Sequence, residues 1–377
     1  SFVGTAYTFY TKNIPPKTLW TLGSGGMGQG AHNNTTNYSS PVQVGSDNDW
    51  IGLADHNNTG YQAGATKNDG TLWVWGDGGE GSLGQNDWIH RSSPIQIPGT
   101  TWAESLSVVG TKAKFTVGRD NMMAIKTDGT LWGWGENSIG GLGQNNRTEY
   151  SSPVQIPGTT WRTISLNRYT AGATKTDGTL WSWGNNEGQS AQNNRTQYSS
   201  PVQIPGTTWT RAEYGESYSL AIKTDGTLWA WGANNYGMLG NNATVNLSSP
   251  IQIGSDTNWA TMQALYTSVV AVKTDGTLWA WGQNNKGQLG VNNGTTYSSP
   301  IQIGSSTDWS TEPTKLAGEQ VSARAIKTDG TLWAWGQNEL GELGQNDINM
   351  RSSPVQIPGT TWVSVACGYD STILLKE

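Results

Sequence analysis

Ala221-Ile-Lys-Thr-Asp-Gly-Thr-Leu-Trp-Ala-Trp-Gly232 reads as two short strands joined by a tight turn. Asp225-Gly226 is expected to supply the positive φ angles of a type I′ hairpin turn, the strongest short-range hairpin signal. Beyond the turn, Leu228 and Ala230 face one side and Trp229 and Trp231 the other, because strand side chains alternate. Both sides are apolar, so this strand should be buried on both. The small residue between the two Trp leaves room for a neighbour's indole. Working outward, Pro250-Ile-Gln-Ile253 reads as a third strand and the stretch from Trp209 to Tyr214 as a fourth.

The unit recurs. Thr-Leu-Trp places its Trp at Trp20, Trp73, Trp132, Trp181, Trp229, Trp279 and Trp333. Ser-Ser-Pro follows each, with Pro at 41, 94, 153, 201, 250, 300 and 354, and then a third marker at Trp50, Trp102, Trp161, Trp209, Trp259, Trp309 and Trp362. Length varies by at most one residue between these markers and mainly between that last Trp and the next Thr-Leu-Trp. Seven units of about 50 residues with almost no helix signal match the period of a propeller blade. Four-stranded sheets that are apolar on both faces must stack, and a ring hides all but short edges. The C-terminal Ser371-Thr-Ile-Leu-Leu-Lys376 lacks the partner that Lys17-Thr-Leu-Trp20 would supply. The reading is an all-β, seven-bladed β-propeller over residues 17–377, closed by a composite blade of N- and C-terminal strands, with residues 1–16 as an N-terminal arm.

Composition narrows the function. Charged residues are 13% of the 377, about half the usual share, and 21 Trp stand against 3 Phe, as copying of one Trp-bearing unit would give. A net charge of −6 argues against a nucleic-acid partner, which needs a basic surface. One Cys and three His leave little for a disulfide framework, a metal site or acid–base work. There is no apolar run long enough to insert into a membrane and no signal-peptide core. Gly23-Ser-Gly-Gly-Met-Gly28 and Gly76-Asp-Gly-Gly-Glu-Gly81 match G-x-G-x-x-G, yet no helix follows to receive a pyrophosphate. Carboxylates such as Glu80, Glu136, Glu187, Glu213, Glu216 and Glu342 are scattered with no repeated pair. We therefore expect no catalytic residues, no cofactor and no metal.

Thr-Asp-Gly-Thr-Leu-Trp-Ala-Trp-Gly, a Gly-x-Leu-Gly loop (Gly287-Gln-Leu-Gly290, Gly341-Glu-Leu-Gly344) and Ser-Ser-Pro together resemble the regulator-of-chromosome-condensation repeat family. The resemblance covers residues 17–377 and implies the propeller fold. The near-verbatim repeats, low charge and Asn/Thr-rich loops look most like members encoded by tailed phages, notably cyanophages. Three departures stand out. Gly188-Gln-Ser-Ala191 and Gly26-Met-Gly-Gln-Gly30 replace Gly-x-Leu-Gly, and Leu22 replaces the second Trp of the first unit. The basic N-terminal tail of the family's nuclear exchange factor has no counterpart here, so that function is not carried over.

Seven Lys (67, 126, 175, 223, 273, 327 and 376) occupy equivalent positions and should ring one rim. They read either as a collar for a polyanion or, with Asp two residues on in six cases, as solvated hairpin ends. Repeat Trp read as core between blades. Trp88 is off-register and is the better exposed contact. In the arm, Phe2, Tyr7, Phe9 and Tyr10 are spaced to anchor an extended strand on a partner, or to tuck it on the propeller. The leading functional expectation is a non-enzymatic virion part of a tailed phage, made in the host cytoplasm, whose partners are tail or capsid proteins. Ser1 would then be what Met removal leaves. The alternatives are an extracellular or cell-surface propeller binding host glycan, and an inhibitor or exchange-factor-like binder using the 103–120 insert as a wedge.

Overall fold

The computed structural model describes residues 15–56, 60–102 and 114–377, so the aromatic residues of the arm and most of the insert fall outside it. Seven antiparallel sheets follow one another round a ring. Blade 5 shows the pattern: Trp209–Tyr214 innermost, then Tyr218–Lys223, Leu228–Gly232, and Leu247–Gln252 outermost. Inner strands of successive blades touch, as where Arg211 Nη2 of blade 5 donates to Thr261 Oγ1 of blade 6 (2.7 Å). Outer strands are only half-buried. Their Pro sits where an edge strand tolerates a missing N–H.

Closure is as the termini implied. In blade 1, Ser371–Lys376 lies between Trp362–Gly368 and Thr18–Gly23, pairing Leu374 with Trp20 and Lys376 with Thr18. Tyr38–Gln43 completes the sheet, so two strands come from each end of the chain. Blade 3 differs from the rest: Asp55–His56 adds a fifth strand, parallel to Phe115–Val117.

The two-sided strand explains the stacking. Leu228 and Ala230 pack with Trp259, Met262 and Trp281 of blade 6, while Trp231 packs with Trp209, Leu180 and Ile204 on the blade 4 side. Each seam is therefore a thin apolar layer fed from both neighbours. Burying an indole there contributes several kcal/mol, roughly the 3–5 lost on truncating a core Trp.

One expectation is corrected. Only Gly226 is left-handed (φ +76°), while Asp225 is not, so the hairpin is a type I turn with a Gly bulge and not type I′. Gly226 N–H donates to Lys223 O (3.0 Å) and Lys223 N–H to Thr227 O (3.1 Å). The reason lies in the side chain: Asp225 Oδ1 accepts from Thr227 N–H (3.0 Å) and its hydroxyl (2.7 Å), an Asx turn that shapes the backbone locally.

Candidate functional site

The antiparallel strands give the ring two faces. One carries the Lys-Thr-Asp-Gly hairpins and the loops that cross between blades. The other carries the inner turns and the long loops joining third to outermost strands, here called outer loops.

On the hairpin face the repeat is chemically closed. Trp229 Nε1–H donates to Thr227 Oγ1 (2.8 Å), which donates to Asp225. Those bonds hold the Asp225 carboxyl below its usual range. Lys223 Nζ sits 4.5 Å from the Trp209 ring and 4.0 Å from Trp229, and all seven repeat Lys are seated on indole pairs in this way. The reading as plainly solvated ends is corrected accordingly. The Asp two residues on serves its own Thr. Neutralising acids come instead from the crossover loops: Asp47 to Lys67 (2.6 Å), Asp256 to Lys273 (2.8 Å) and Asp308 to Lys327 (3.0 Å). Among the described residues, Lys126, Lys175 and Lys223 of blades 3–5 and Lys376 of blade 1 have no ion pair. The charge of the whole chain therefore does not describe each face, and the exclusion of nucleic acid drawn from it is not supported.

Repeat Trp divide into two kinds. Trp75, Trp134, Trp183, Trp231, Trp281 and Trp335 are fully buried, as are the Trp that open each blade. The Thr-Leu-Trp indoles are half-buried under Lys. Each buried second Trp also reaches across its seam: Trp231 Nε1–H donates to Gln189 O (2.7 Å) and Trp335 to Gln288 O (2.9 Å). Gln189 belongs to the departing Gly188-Gln-Ser-Ala191 loop. That loop nevertheless keeps the bond, with Ala191 left-handed at φ 52°.

The outer loops are the variable part. In blades 3–7 an Asn at the loop base ties the loop together. Asn338, fully buried, accepts from Leu343 N–H (2.9 Å) and donates to Asp347 O (2.9 Å) and Asn349 O (3.1 Å). In blades 1, 3, 4 and 6 an Asn side chain then braces the tip against a Tyr hydroxyl, as Asn194 does with Tyr198 (2.9 Å). Blades 2 and 7 use an ion pair at the same place: Asp87–Arg91 and Asp347–Arg351, both 2.6 Å. These two tips are apolar. Trp88 is 57% and Ile89 59% exposed; Ile348 is 67% and Met350 59%. Met27, Tyr236 and Val245, the other exposed large apolar residues among those described, also lie in outer loops. Trp88 is thus exposed as expected. Ile348 and Met350 were not anticipated, although Arg in place of Tyr before Ser-Ser-Pro, with Asp four residues earlier, marks both loops.

On the same face, between blades 4, 5 and 6, lies a cavity of about 270 Å³ lined by Glu187, Arg195, Glu216, Tyr236, Asn246 and Tyr266. Burial pushes the Glu216 carboxyl up, with Glu187 adding to the shift. The sequence shows no repeated carboxylate pair; blades 4 and 5 bring these two to one pocket.

A family model described as the RCC1-like domain matches residues 17–374. The chain belongs to the RCC1-like family. Its sequence relatives match only in part: an RCC2 homologue of Danio rerio is 35% identical over 89 residues, and human RCC2 44% over 55. The ultraviolet-B receptor UVR8 of Arabidopsis thaliana is 27% identical over 137 residues. These matches span 23%, 14% and 24% of this chain and only 17%, 10% and 31% of the relatives. The RCC1-like propeller superposes on Prp20p from Saccharomyces cerevisiae with a TM-score of 0.83 at 16% identity, over 97% of this chain and 92% of that one. Human WBSCR16 gives 0.79 at 17% identity, over 96% and 99%. At such identities the likeness is one of fold.

Proposed function

We propose that this RCC1-like propeller is a non-enzymatic binding protein that docks on a protein partner through its outer-loop face. We further propose that it does so as a virion component of a tailed phage, seated on tail or capsid proteins. The observation that carries the docking face is the location of the exposed apolar residues. All of those described lie in outer loops, and Ile348, Met350, Met27, Trp88 and Ile89 fall on three consecutive blades, 7, 1 and 2. Aromatic and Met side chains on a rigid support are what partner surfaces are built from. Protein binding is in keeping with a structural neighbour: Prp20p is described with binding properties to Gsp1p and histones. The phage setting rests on the near-verbatim repeats, the low charge and the Asn/Thr-rich loops. Quantitative mass spectrometry of gradient-purified particles tests it. A fixed ratio to the capsid protein is expected; protein found only free in the medium or on cells would overturn the virion role.

A second reading, host-glycan binding, is favoured by the pocket of Tyr236, Tyr266, Glu187, Arg195 and Asn246, which offers flat rings edged by charged and amide groups. Loss of polysaccharide binding in Tyr236→Ala with retained particle incorporation would separate it from the first. The wedge proposed for the 103–120 insert and the docking arm of Phe2, Tyr7, Phe9 and Tyr10 fall mostly outside the described residues. Deletion of residues 1–16 tests the arm: incorporation should be lost while the ring still folds.

A further inference from the structure

The seam between blade 7 and the composite blade 1 departs from the other six in four residues at once. Leu22 stands where the other blades have the buried Trp, so the Glu342 carbonyl receives no indole. It accepts instead from Arg324 Nη2 (2.8 Å) and Thr372 Oγ1 (3.0 Å). Glu342 itself is the middle residue of Gly341-Glu-Leu-Gly344, a place held by Gln, Ser, Gly or Met in the other units. Glu319 stands where blades 3 and 5 have Gly118 and Gly215, and Arg324 where blades 2 and 4 have Gly64 and Gly172. Asp370 closes the group from the inner turn of blade 1.

Counting bonds shows what is missing. Glu319 is saturated: Oε1 accepts from Ser322 Oγ (2.7 Å) and pairs with Arg324 Nη1 (3.1 Å), and Oε2 accepts from Asp370 N–H (2.6 Å). Arg324 is fully buried and its charge offsets one carboxylate. Glu342 is 1% exposed; Oε2 accepts from Leu340 N–H (2.9 Å), while Oε1 is buried with no hydrogen-bond partner. Oxygens of Glu319, Glu342 and Asp370 lie within 4.8 Å of one another. Three carboxylates face one guanidinium in a desolvated seam, so the excess acid must be neutralised by a further cation or by bound protons.

We propose that Glu342 and Asp370, with Glu319 behind them, hold a divalent cation of the calcium class that clips blade 7 to the blade closing the ring. The donors are all hard carboxylate oxygens with no His, the set that Ca²⁺ takes and zinc does not prefer, and Asp370 is open enough for water to complete the shell. The cation would bridge residues of two blades, including the blade built from both chain ends, and so act on ring closure.

The test uses the full chain, chelator-stripped and returned to calcium chloride near neutral pH. Titration calorimetry should show one site. At 100-fold excess over Kd the unfolding midpoint should rise by about 3 °C. Glu342→Gln should fold, with unchanged circular dichroism, and lose both responses. Asp370→Asn, at a less buried position, should weaken binding at least tenfold. Glu216→Gln, on the same face, should bind as wild type. Absence of calcium binding by stripped wild type, or equal binding by Glu342→Gln, would overturn the proposal. So would a midpoint indifferent to calcium that instead shifts between pH 6 and 8, the mark of a shared proton.

Discussion

The outer loops of blades 4 and 2 share one backbone and show solvent different things. Each turns at a left-handed Asn, Asn193 (φ 56°) in one and Asn86 (φ 60°) in the other, and each bonds to the next blade's Ser-Ser-Pro strand, at Ser248 O and Ser151 O. At the tip, blade 4 holds Arg195-Thr196 under an Asn–Tyr brace, while blade 2 holds Trp88-Ile89 under an Asp–Arg brace. Blade 7 repeats the second solution with Ile348 and Met350. Three loop features fixed in common leave two tip residues free. Apolar tips cost solvation and add nothing to the ring, so their place on either side of blade 1 calls for a partner.

The largest effect expected is on the Asn hub that the blade 4 loop shares with those of blades 3 and 5–7 and that blade 2 lacks. Asn338→Ala and Asn137→Ala each remove a buried hub of three or more bonds and should each cost about 3 kcal/mol by denaturant unfolding. A loss confined to one of them would mean that the loops do not share a scaffold. Next comes what distinguishes them. Trp88→Arg with Ile89→Thr converts the blade 2 tip to that of blade 4 and should weaken partner binding at least tenfold, about 1.4 kcal/mol, with the midpoint of unfolding unchanged.

A third contrast lies between blades 2 and 3, where Asp77, Glu80, Glu136 and Asp120 crowd together on this face. Burial raises Asp120 from 3.8 to about 6, helped by Asp77, Glu136 and Glu80 and opposed by Arg119. Because folding raises this pKa, the destabilisation is absent below about pH 4, grows as pH rises to about 6 and is full above it. Asp120→Asn should therefore raise the melting temperature at pH 7 and leave it unchanged at pH 4. An equal change at both would assign the effect to packing. The smallest effect belongs to the brace itself: Asp87→Asn should cost only roughly a few tenths of a kcal/mol, as exposed ion pairs do.

The ring was legible in the sequence because stacking demands are local: Trp-x-Trp opposite Leu-x-Ala announces a strand buried on both sides, and Thr-Leu-Trp20 announces its missing partner at 371–376. What escaped depends on particular side-chain contacts, some within a blade and some across a seam. The turn type hinged on a bond from Asp225 to Thr227, and the Lys environment on an indole supplied by another strand of the same blade. The seam of Leu22, Arg324 and Glu342 joins residues some 300 positions apart. Trp88 could be picked out alone; Ile348 and Met350 needed the blade 2 and blade 7 loops laid side by side.

Copy number in purified particles, measured by quantitative mass spectrometry for wild type and for Trp88→Arg/Ile348→Arg/Met350→Thr, tests the docking face most directly. The wild-type protein should be present at a fixed ratio and the folded triple variant should be depleted at least tenfold. Incorporation of that variant at the wild-type ratio would contradict the assignment of these tips as the surface that holds the propeller in place.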